Sequence, residues 1–177
     1  LSGGEPQRLT NDNYSYGQLG FSPSGDKLVC AVDFNTAGKI YDLVRLASFS
    51  WPWQSAVPKI INGALDRSIS RYATPTGTDR IFFTFEHAGL DELYSVSYAG
   101  GDERAETSPV GGSIGALRAG GTALVGLWES ATSPAEIYSF NGSPRALTQI
   151  NASRLAAIDW LPHSIVLDLQ RTMLWAI

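Results

Sequence analysis

Cysteine occurs once in the chain, at Cys30, and histidine twice, at His87 and His163. A single cysteine excludes an internal disulfide and any cysteine-based zinc site. Neither histidine stands near a second ligand-type residue at metal spacing, so no metal is expected. Basic residues are also few: 13 Lys and Arg face 17 Asp and Glu, giving a net charge of -4 and a pI near 5.1. Phosphate backbones are bound by clustered Lys and Arg, and these are scattered, so nucleic acid is not expected as a partner. The longest apolar runs reach about five or six residues, far below the roughly 20 that span a bilayer, and no membrane is implied. Leu1-Ser2-Gly3-Gly4-Glu5 does not read as a signal peptide. No Gly-x-Gly-x-x-Gly and no phosphate loop occurs, and no cofactor is expected.

What the chain does contain is apolar material in short pieces. Its 177 residues are 44% hydrophobic and 11% aromatic, enough for a packed core. In Ser22-Pro23-Ser24-Gly25-Asp26 the proline presets φ, the serines and Asp26 can bond nearby backbone, and Gly25 tolerates φ > 0. A chain reversal follows. Leu28-Val29-Cys30-Ala31-Val32 is then apolar at every position, which suits a short strand covered on both faces, with Cys30 an inert core residue.

The turn and strand return twice in altered form. Thr74 to Asp79 leads into Arg80-Ile81-Phe82-Phe83-Thr84-Phe85, and Gly120-Gly121 leads into Thr122 to Trp128. The anchors Leu28 and Ile81 are 53 positions apart, and Ile81 and Leu124 are 43 apart. A unit of about 40 to 50 residues holding four short strands is the signature of a propeller blade. Helical repeats of that length need 3.6-residue periodicity sustained over a dozen residues, and Gly or Pro interrupts every run first. The expected fold is therefore all-β, a partial propeller of three to four four-stranded antiparallel blades. Its expected parts are a blade fragment over 1–10, blades over 14–62, 67–107 and 112–148, an entering strand over 152–160, and a truncated linker or tail over 161–177. Closed propellers usually have 4 to 8 blades, so a homodimer summing to about seven is one way of completing the ring. The chain does not begin with Met and is expected to be a piece of something longer.

Gly111-Gly112-Ser113-Ile114-Gly115 matches Gly-x-Ser-x-Gly, and Asp159 and His163 follow in hydrolase order. The motif works where a strand turns sharply into a helix. Here Ala116 to Gly121 is too short and glycine-rich for that helix, so Ser113 is expected to begin a strand and no catalytic residue is assigned. His87 is expected in a solvated turn, and Asn11-Asp12-Asn13 in a capped turn, since the Gly and Glu of a calcium loop are missing. Trp51, Trp53, Trp128 and Trp160 are expected to pack blade against blade.

Phe21 to Val29 resembles the strand-turn-strand motif of the repeats in TolB and in prolyl oligopeptidase-family serine peptidases. The order Leu65-Asp66-Arg67-Ser68-Ile69, Asp91-Glu92-Leu93-Tyr94, Ser133-Pro134-Ala135-Glu136-Ile137-Tyr138 and Leu147-Thr148-Gln149-Ile150-Asn151 is similar to the last blades of the acylaminoacyl-peptidase and dipeptidyl-aminopeptidase branch. The resemblance covers roughly 1–160. It implies a non-catalytic propeller segment that gates and orients peptide for a separate α/β-hydrolase domain carrying the serine, aspartate and histidine, with the chain stopping where that domain should begin. The parent would be a serine peptidase and this chain alone inactive. Arg67 and Glu92 could then face a channel and bind peptide ends by charge. The alternative is a TolB-like propeller that docks protein partners. Localisation is expected to be cytoplasmic, or periplasmic for the TolB-like role.

Overall fold

The computed structural model describes residues 3–39 and 41–159. Among these described residues twelve strands form three four-stranded sheets, each a meander in which every strand pairs antiparallel with the next. The first sheet holds β1 (Ser15–Phe21), β2 (Lys27–Asp33), β3 (Arg45–Ser50) and β4 (Lys59–Ile60). The second holds β5 (Ile69–Ala73), β6 (Arg80–His87), β7 (Leu90–Ser97) and β8 (Arg104–Ala105). The third holds β9 (Gly112–Gly120), β10 (Ala123–Ser130), β11 (Ser133–Ser139) and β12 (Arg145–Ala146).

The first hairpin works as its residues suggest. Gly25 adopts φ 72°, its N–H donates to the Ser22 carbonyl at 2.9 Å, and the Ser22 hydroxyl both donates to Asp26 Oδ1 and accepts from Lys27 N. The hydroxyl of Ser24 and the ammonium of Lys27 hold the Asp26 carboxyl below the usual range.

Side-chain alternation explains why the second strands are apolar throughout. Val29 and Ala31 of β2 join Leu46, Ile61, Ile69, Ile81, Phe83, Phe85 and Val96 in a cluster between the first two sheets. Cys30 and Val32, pointing the other way, pack with Ala47 and Phe49 beneath Tyr16, Phe34 and Trp53. The third cluster, Ala73, Leu93, Ile114, Leu117, Leu124 and Phe140, joins sheets two and three, with Phe82, Trp128 and Tyr138 at its margin. Phe82 and Phe83 thus face different neighbours, as consecutive strand residues must.

Two expected elements differ among the described residues. Residues 3–10 form no strand. Their counterpart Arg145-Ala146 is a strand only through its pairing with Tyr138 and Ser139, and 3–10 have no such partner among the described residues. The entering strand over 152–160 is corrected to a short helix, α1 (Ala152–Leu155). Ala, Arg and Leu are good helix formers, no β-branched residue opposes them, and the Asn151 carbonyl accepts from the N–H groups of Arg154 and Leu155 at 3.1 and 2.9 Å. Trp160, His163 and the expected tail over 161–177 lie outside the described residues.

A buried cation ties the second sheet together. Arg80, 9% exposed, donates from Nε to Ser95 Oγ at 2.7 Å and from its terminal nitrogens to Asp102 Oδ2 at 2.6 Å, the Asp102 carbonyl at 2.9 Å and the Ser95 carbonyl at 3.0 Å. A buried guanidinium is tolerated when its donors are used in this way. The Ser97 N–H, then Arg80, hold the Asp102 carboxyl down to about 2. A carboxyl depressed on folding contributes stability that is full above its ordinary value of 3.8 and is lost as pH falls through its folded value. Unfolding free energy should therefore decline from about pH 4 to pH 2, and Asp102→Asn should flatten that decline. Urea titrations of both proteins across the window check this; identical slopes would show that the pair contributes nothing.

Candidate functional site

The first strand of each sheet carries a bulge. In β1, Gln18 and Leu19 together oppose Cys30, because Gly17 pairs with Ala31 and Gly20 with Val29. In β9, Ala116 and Leu117 together oppose Gly126, and in β5 the extra residue is Ser70. Gln18 and Ala116 reach φ of 51° and 43° there, a left-handed conformation that costs a non-glycine residue about 1–2 kcal/mol. Bulges bend a strand and re-aim its side chains.

The re-aimed residues meet in one cavity of about 690 Å³, lined by β1, β5 and β9, where Gln18, Leu19, Arg71, Thr74, Arg118 and Ala119 are prominent. No carboxylate lines it. Arg71 Nη1 donates to the Ser70 carbonyl and Arg118 Nη1 to the Leu117 carbonyl, each at 2.8 Å, so both guanidinium groups contact neutral acceptors. The Gln18 amide donates to that same Ser70 carbonyl at 3.2 Å. Tyr72 turns its hydroxyl away, donating toward the Gln18 and Val29 carbonyls, and burial pushes its pKa up, so it adds no negative charge. In a chain of net charge -4 this is a local positive site.

Arg67 and Glu92 do not reach this cavity. The β4–β5 connection and the β6–β7 hairpin emerge at the same end of an antiparallel meander, which puts both residues there. Arg67 lies 3.9 Å from Asp66, while Glu92 Oε2 lies 3.2 Å from His87 Nδ1. His87 is the last residue of β6 and half exposed, before the two-residue turn Ala88-Gly89. Ser113 is the second residue of β9, which runs on as a strand to Gly120. Its hydroxyl accepts from the Asp91 N–H at 3.1 Å, and the strand-to-helix elbow that would activate it is missing. Asp12 accepts from Tyr14 N and Tyr16 Oη, closing the turn expected at Asn11 to Asn13. Among the described residues no three His, Cys, Asp or Glu side chains converge as metal ligands, and no helix is long and apolar enough to cross a membrane.

The residues from Ser133 to Asn151 form one hydrogen-bonded device. Glu136, buried on β11, accepts from the Thr148 hydroxyl at 2.5 Å, from Asn151 N at 2.9 Å and from Asn151 Nδ2 at 3.3 Å. The Thr148 oxygen in turn accepts from Ile137 N. Thr148 first, then the Asn151 N–H, hold the Glu136 carboxyl below its ordinary range. The carboxylate thus pins the segment after β12 onto β11. Tyr94 pairs with Ala105 as Tyr138 pairs with Ala146, so Glu92 occupies the equivalent position in the second sheet, where it pairs with His87 instead.

Three four-stranded meanders, each beginning on a common channel wall and packing face to face on the next, are blades of a β-propeller. Similar solved structures include an acylaminoacyl peptidase in complex with Z-Gly-Gly-Phe-chloromethyl ketone, at TM-score 0.69 and 17% identity over 96% of this chain and 25% of that one. The Pyrococcus horikoshii acylaminoacyl peptidase is similar at TM-score 0.62 and 20% identity, over 80% of this chain and 21% of its own. The β-propeller domain of the trilobed protease from Pyrococcus furiosus overlays at TM-score 0.56 and 18% identity, over 72% of this chain and 36% of its own. The chain therefore spans between about a fifth and a third of the length of these proteins. No protein-family model and no curated protein sequence matches it.

Proposed function

We propose that these blades belong to a prolyl oligopeptidase-family serine peptidase and that they admit and orient short peptides for a separate α/β-hydrolase domain. The observation that carries the reading is the Glu136, Thr148 and Asn151 unit. The residues that resemble the family's last blades, spread over Ser133 to Asn151, meet in one hydrogen-bonded arrangement. The overlays on peptidases support it at the level of fold, which by itself does not assign function. Ser113 lies in a strand that runs on to Gly120 with no strand-to-helix elbow, and the reading accordingly assigns the chemistry to the separate domain. Arg67 and Glu92, at the loop end of the second blade, would meet peptide charges at the mouth, and the β1, β5 and β9 wall would receive the peptide beyond it.

The test uses the purified chain with fluorescent peptides of three to eight residues, chromogenic aminoacyl and acylaminoacyl substrates, and a fluorophosphonate label. Saturable binding of the peptides is expected, with hydrolysis at background and no label on Ser113. Labelling of Ser113, or binding confined to folded proteins, would overturn the reading.

A further inference from the structure

We infer that the cavity walled by β1, β5 and β9 binds the C-terminal carboxylate of a short peptide through Arg71 and Arg118, an inference that rests on the peptide reading above. Three observations converge on an anion. Two guanidinium groups from neighbouring blades line one cavity that contains no carboxylate. Each is held by the carbonyl of the residue before it, a single neutral contact for a group with five N–H donors. The remaining polar side chains on the wall, those of Gln18, Tyr72 and Thr74, are uncharged. A volume of about 690 Å³ lies within the roughly 300–1,000 Å³ of small-ligand sites and suits a peptide end.

Arginine selects planar two-oxygen groups because its fork of parallel N–H donors matches them. A peptide terminus supplies such a group and is present once per substrate, so reading it fixes which way the peptide lies in the channel. The bulges are part of the site. Without the additional residue in β5 and β9 the register would shift by one and turn these side chains to the other face of each sheet.

Calorimetric titration of an apolar tripeptide and its C-terminal amide into the full chain tests the inference. Inorganic phosphate serves as a third ligand, and each titration is run on wild type, Arg71→Gln, Arg118→Gln and the double variant. The free acid should bind about tenfold more tightly than the amide, each single variant should lose part of that preference, and the double variant should lose it entirely. Circular dichroism should be unchanged, because both side chains are exposed. Equal binding of acid and amide to wild type would overturn the carboxylate contact and leave the peptide-binding reading standing. Failure of both peptides to bind would overturn both. Arginine-dependent binding of phosphate without either peptide would assign the wall to a phosphorylated ligand and overturn the carboxylate assignment.

Discussion

Phe83→Ala should lower the unfolding free energy by about 4 kcal/mol, the middle of the roughly 3–5 kcal/mol range for truncating a buried aromatic. Phe83 is fully buried at the centre of the cluster that joins the first two blades, with the Phe85 and Tyr94 rings each 6.2 Å away, centroid to centroid. Removing it opens a cavity lined by residues from both blades, and a joint between two sheets cannot collapse without moving one sheet as a body. Cys30 offers a built-in readout. Burial raises its thiol to about 12, and it is completely covered, so a thiol reagent at pH 8 should modify it only through opening. Labelling of Cys30 should then accelerate by about three orders of magnitude in the variant. Leu127→Ala, at a position 38% exposed, should change it little. Equal labelling rates in the two variants would refute the assignment of Phe83 to a joint that determines stability.

Gly112→Ala should cost about 3 kcal/mol, although only one methyl is added. A β-carbon there would be driven against the Glu129 carbonyl oxygen and would sit 2.6 Å from Trp128 Cε2. The carbonyl is backbone and cannot step aside, and the indole is wedged against the Tyr138 ring at 5.3 Å. Gly115→Ala is the matched control, since no atom lies within 4 Å of its added carbon. Urea midpoints and near-ultraviolet circular dichroism of the two variants decide the matter: the Gly112 variant should lose both stability and aromatic signal, and equal midpoints would show that close approach at Gly112 is unimportant.

Local features of this fold are legible in the residues, and features set by strand register are not. The run from Leu28 to Val32 could be read as a doubly covered strand because both of its faces are buried, one against the second blade and the other under Trp53 and Phe34. Turn glycines were readable because Gly25 and Gly77 need φ of 72° and 79°. Glu136 stands out in the sequence only through a resemblance; its role depends on Thr148 and Asn151 folding back over β11, which no local pattern announces. The bulges left no signal. Gln18, Ser70 and Ala116 share no residue type, and their conformations are set by the register of the partner strand. Arg71 and Arg118 escape notice in the sequence for that reason, since each reads as an ordinary solvated strand charge. Their one available signal was position: they stand three residues before Thr74 and two before Gly120, in the first strand of consecutive repeats. Glu92 stands out in the sequence by its charge, and the register shows it to be the repeat partner of a structural glutamate.

The outermost strands β4, β8 and β12 are each only two residues long, and this brevity bears on how the molecule behaves in a crowd. A sheet edge with a long row of unpaired N–H and C=O groups is a template on which another chain can add a strand. An edge of two residues offers too few groups to capture one. The opposite edges are interrupted by bulges, and two of them carry an arginine, which disfavours the same accretion by geometry and by charge. Both borders of each described sheet are thus poor seeds for strand addition, in a molecule whose regular structure, among the described residues, is β-strand but for one short helix.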